Sequence, residues 1–120
     1  MNTNSLKKNV LKVIFLVYSL TLIVMSVVPL DMPAPKEVPV DKIVHSLAYL
    51  VLAILTANAL SPSGTKSNII RAFIFTVLFG FTLECIQYFL PLRSFDIFDI
   101  ACNIAGALVG SICVYGFKKI

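Results

Sequence analysis

Between Glu84 and Asn103 the chain reads ECIQYFLPLRSFDIFDIACN, a stretch that gathers Glu84, Gln87, Arg93, Asp96, Asp99 and Asn103. A second group sits in DKIVHSLAY, where Asp41, Lys42, His45 and Tyr49 fall within nine residues. Two kinds of chemistry suit these side chains. Lys42 and Arg93 can hold a phosphate or carboxylate through charge-assisted hydrogen bonds, with Tyr49 and Gln87 orienting it and the acidic residues fixing the two bases. Alternatively, His45, Glu84 or Asp99 can serve as general acid or base while Lys42 and Arg93 stabilise charge developing on phosphoryl oxygens. A third reading is structural. Asp41 would then cap one helix, Ser94 or Asp96 another, Arg93 would be the counter-ion of Asp96, and His45 a hydrogen-bonded packing residue. Glu84 resists that reading most. It lies nearly two turns before Pro91 in an apolar run, where a carboxylate must be neutralised, paired or hydrated.

Other chemistries leave no trace in the sequence. There is no GxSxG or HExxH, and no cysteine near the histidine. Cys85, Cys102 and Cys113 are odd in number, form no CxxC pair and sit in apolar runs, so they read as small packing residues. A divalent ion shared by Glu84, Asp96 and Asp99 is conceivable, but no sequential metal motif is present. The expectation is no metal and no cofactor.

The elements that must position these residues follow from composition. Of the 120 residues 58% are hydrophobic and 13% charged, and the mean hydropathy is +0.93. A small soluble domain leaves too much of its surface in water to hide so much apolar area, so the bilayer must be the solvent. The net charge of +4 does not point to nucleic acid, because the basic residues cluster at the ends of apolar runs rather than along one face. The first run, from Val10 to Val28, is roughly 28 Å long as a helix, which matches a hydrocarbon core. It is longer than the apolar core of a signal peptide and lacks a small-residue cleavage site. Four prolines between Pro29 and Pro39 mark an extended loop. The expected architecture is all-α, a polytopic bundle of four transmembrane helices at about 10–29, 42–60, 69–90 and 97–117, forming one domain over 1–120.

Orientation follows from counting bases. Lys7, Lys8, Lys12, Lys66, Arg71, Lys118 and Lys119 lie on the side of the termini, against Lys36, Lys42 and Arg93 on the other. The expectation is a multi-pass protein of the bacterial inner (plasma) membrane with both termini cytoplasmic. The polar residues then converge at the outer face.

Helical spacing lets them face one another. Asp41, His45 and Tyr49 recur at intervals of four, as do Thr76, Gly80 and Glu84, with Gln87 three further on; Asp99, Asn103, Gly106 and Gly110 share a third stripe. Gly106 and Gly110 form GxxxG, which permits close backbone approach in lipid. Helices 2, 3 and 4 are expected to pack through these faces, with helix 1 peripheral. The same glycine face could serve a homodimer, and four helices alone are few for a transport path.

DKIVHSLAYLVLAIL and GFTLECIQYFLPLRSFDIFDIACNIAGALVG together resemble the VanZ-like membrane protein family over roughly Asp41 to Gly116. Lys42, His45, Glu84, Gln87, Arg93, Asp96, Asp99, Asn103 and Gly106 carry the resemblance. It implies a place in the cell envelope and an accessory role in resistance to the glycopeptide teicoplanin, without remodelling of peptidoglycan precursor ends. It names no reaction, so binder, enzyme on a lipid-linked phosphate and structural subunit of an envelope complex all stay open. Binding of an anionic envelope component is preferred, through Lys42, His45, Tyr49, Glu84, Gln87, Arg93, Asp96, Asp99 and Asn103.

Overall fold

The computed structural model describes residues 3–27, 40–60, 66–90 and 97–119. The Pro-rich stretch, Arg93, Asp96 and the side chain of Asp41 lie outside the described residues. Four helices account for the rest: α1 (Thr3–Val27), α2 (Val40–Leu60), α3 (Lys66–Tyr88) and α4 (Ile97–Lys119). Each contains a segment long and apolar enough to cross a membrane. The first helix starts well ahead of its apolar run because the polar residues at its head can continue a helix that begins in an aqueous layer. The third likewise begins at Lys66 rather than near Ile69, and it gives way to a turn after Tyr88, where Phe89 and Leu90 donate to the carbonyls of Ile86 and Gln87. Asp41 falls inside the first turn of α2 rather than before it.

The interior is built from small residues. Ala53, Ala72 and Ala107 are fully buried, and Ala57, Ile69, Ala72 and Val114 form an apolar cluster at the end of the bundle that carries the termini. Large side chains such as Leu16, Leu20, Leu78, Phe81 and Ile112 point outward. This inversion is expected where lipid replaces water, since association then depends on close packing rather than on hiding leucines. The two buried threonines bond within their own helices: Thr56 donates to the Leu52 carbonyl and Thr76 to that of Ala72.

Helices α2 and α4 make the most extensive contact, each also packs on α3, and α1 touches α2 and α3 but not α4 among the described residues. Gly106 sets the α2–α4 approach. A Cβ on it would fall on the carbonyl oxygen of Ser46, and one on Gly110 would stand 2.5 Å from that of Leu50. The GxxxG face is therefore filled by α2 of the same chain, and a second copy could use it only by displacing α2. Helix α1 is held at its middle by the Tyr18 hydroxyl, which donates to the Ala48 carbonyl at 2.6 Å.

Replacing Gly106 by alanine should destabilise the bundle by about 1–3 kcal/mol, the usual range for overpacking. Gly116 has nothing within 4 Å of its Cβ position, so Gly116→Ala should be neutral or stabilising by up to about 1 kcal/mol. Thermal unfolding of the two variants in the same detergent compares them directly.

Candidate functional site

Antiparallel packing brings the start of α2, the end of α3 and the start of α4 to one end of the bundle. The stripes expected from spacing meet there. Glu84 is 2% exposed and Asn103 likewise 2%, while Gln87, Asp99, Thr76 and Tyr49 are also buried. Lys42 and His45 are partly exposed at the rim.

The interactions run across helices. Lys42 Nζ lies 2.6 Å from Asp99 Oδ1, joining α2 to α4, with side-chain exposures of 26% and 9%. Such a short charge-assisted contact between a half-sheltered ammonium and a sheltered carboxylate is far stronger than a surface pair. One turn further in, His45 Nδ1 stands 3.3 Å from Asn103 Oδ1, again between α2 and α4. Nδ2 of Asn103 faces α3, 2.9 Å from where a Gly80 Cβ would sit, and has no hydrogen-bond partner among the described residues. His45, Glu84 and Asp99 each bring a nitrogen or oxygen donor to within 4.8 Å of the other two, one residue from each of α2, α3 and α4.

Two residues named for ligand orientation have structural partners. Gln87 Nε2 donates to the Ser26 carbonyl of α1 at 3.1 Å, which ties α1 to this end. The Tyr49 ring packs over Gly80 and against Phe79, with centroids 6.5 Å apart. Ser46 was not marked by any polar stripe, yet its hydroxyl donates to the Cys102 carbonyl at 3.2 Å and its own carbonyl receives Gly106. A small residue beside His45 was the available signal. An apolar groove between α1 and α3, lined by Phe75, Phe79 and Ile86 among others, holds none of the charged groups.

Four helices long and apolar enough to span, three of them joined at one end by a charged, buried junction, define a class, a multi-pass membrane protein with a polar cluster between its helices. The chain belongs to the VanZ/LLP1 family, whose model matches residues 4–118. The match takes in α1 as well as the stretch from Asp41 to Gly116 on which the resemblance rested. Neither a curated protein nor a solved structure matches the chain.

If the Lys42–Asp99 pair holds α2 and α4 in register, either single change, Lys42→Met or Asp99→Asn, should lower stability by about 1–3 kcal/mol through loss of this sheltered contact. The double variant should lose less than the sum. A double-mutant cycle on unfolding in detergent measures the coupling, and strict additivity would remove this pair as a structural determinant.

Proposed function

We propose that this VanZ-like protein acts at the cell envelope by binding the anionic head of an envelope component at the Lys42 end of the bundle. In that capacity it contributes to teicoplanin resistance. The observation that carries the reading is the Lys42–Asp99 bridge: the ammonium is held at the rim while Asp99, Glu84, Gln87 and Asn103 behind it are buried. A fixed cation at a membrane boundary attracts phosphate or carboxylate heads, and the pairing to Asp99 lowers the entropy lost when an anion is engaged. Arg93, which falls between α3 and α4 in sequence, is the second base that this reading assigns to the anion. The count of bases near the helix ends supports cytoplasmic termini, which would turn the site outward in a bacterial plasma membrane.

Catalysis on a lipid-linked phosphate is the second reading, favoured by the proximity of His45, Glu84 and Asp99. It assigns His45 or Glu84 as general base or acid. The two readings separate on turnover. Purified protein in nanodiscs is titrated with a polyprenyl phosphate and with a neutral lipid of equal chain length, and product is assayed over time. Saturable binding of the phosphate without product supports the binder, and phosphate release at a rate that falls in Glu84→Gln supports the enzyme.

The phenotype provides a separate check. In a sensitive Gram-positive host, wild type should raise teicoplanin resistance. Lys42→Ala should abolish it and bind the phosphate about tenfold more weakly, a loss of about 1.4 kcal/mol. Lys42→Arg should retain most of both. Membrane abundance measured by blot keeps a folding defect from passing as a binding defect.

A further inference from the structure

We propose that His45, Glu84 and Asp99 form a binding site for one divalent zinc ion at the junction of α2, α3 and α4. Their donor atoms all lie within 4.8 Å of one another. An ion about 2.0–2.2 Å from each ligand spans donor pairs of roughly 3–4.4 Å, so small rotamer adjustments close the shell. An imidazole and two carboxylates suit a borderline cation, and three protein ligands leave coordination positions open for an exogenous oxygen.

The neighbours fit that assignment. A bond from His45 Nδ1–H to Asn103 Oδ1 leaves Nε2 with its lone pair, which is how outer groups fix the tautomer of a ligating histidine. Lys42 occupies Oδ1 of Asp99, and a carboxylate has a second oxygen for the ion. An independent observation is the Asn103 Nδ2 donor. It belongs to a side chain 2% exposed, bonded through its other amide atom to His45, and lacks a partner among the described residues. A buried donor left unsatisfied is costly, and an oxygen completing the ion's shell would accept from it. Charge points the same way. Glu84 and Asp99 each carry a carboxyl group toward the His45 imidazole, and a divalent ion held there adds positive charge behind Lys42. The ion would then be a direct contact for the anionic head proposed above, and only this consequence rests on that reading.

The test uses full-length protein in nanodiscs with its affinity tag removed, stripped with chelator and titrated with Zn²⁺ alone. His45 is the only histidine of the chain, so one imidazole resonance reports the site. Expected are about one Zn²⁺ per chain after gel filtration and a shift of that resonance saturating with the bound metal. Glu84→Gln and Asp99→Asn should bind at least about tenfold more weakly, and Asn103→Ala should lose about tenfold through the orientation of His45. If the variants fail to fold, wild type decides alone. No stoichiometric binding overturns the proposal, and so does binding that leaves the His45 resonance unmoved, which would place the ion on cysteines or the surface. No phosphate is added, so failure here leaves anion binding intact, and failure of anion binding leaves the metal site intact.

Discussion

The contact on which the rest of this protein depends is the approach of α2 to α4 at Gly106. The Ser46 carbonyl occupies the space that any Cβ there would take, so the two backbones come closer than ordinary side chains permit. That proximity lets a lysine on one helix reach an aspartate on the other and brings a histidine against an asparagine one turn away. Lipid supplies no hydrophobic drive to bring helices together. The polar cluster and the small-residue interface are consequently one device: the glycines allow the approach, and the ion pair fixes its register.

The same logic accounts for the uneven distribution of polarity along the bundle. Toward the termini the interior is an alanine-rich apolar cluster with Ile69 and Val114. Toward the other end it holds two buried carboxylates, an imidazole and two buried amides. Glu84 and Asn103 are buried more deeply than the Lys42–Asp99 pair, and ionisable groups in apolar surroundings are functional-site candidates by default. The helix α1, joined through Tyr18 and through Ser26 to Gln87, packs on α2 and α3 and, among the described residues, makes no contact with α4.

Several assignments of role depended on which partner each side chain finds. Gln87 lies on the stripe of Glu84, which suggested a hand in ligand orientation, yet its amide meets the Ser26 carbonyl and clips α1 to the bundle. Tyr49 shares the stripe of His45, but its ring is used as packing over Gly80. The GxxxG face could have been intermolecular on spacing alone, and α2 takes it. Periodicity tells which residues share a face and is silent on which neighbour that face meets.

What the sequence alone determined was the solvent, the number of spans and the set of faces. Hydropathy of this magnitude leaves only the bilayer, length per apolar run gives four helices, and a 3.6-residue period sorts polar and small residues onto single stripes. Helix ends were less legible, because polar first turns at Thr3 and Lys66 carry helix beyond the apolar run. Only the tertiary structure decided the pairings: Lys42 with Asp99, His45 with Asn103, and His45, Glu84 and Asp99 as one group of donors. These residues lie on three separate helices, so no local spacing encodes their distances. They are set by how closely α2 and α4 approach at Gly106, and by the end-to-end reversal that brings the close of α3 beside the openings of α2 and α4.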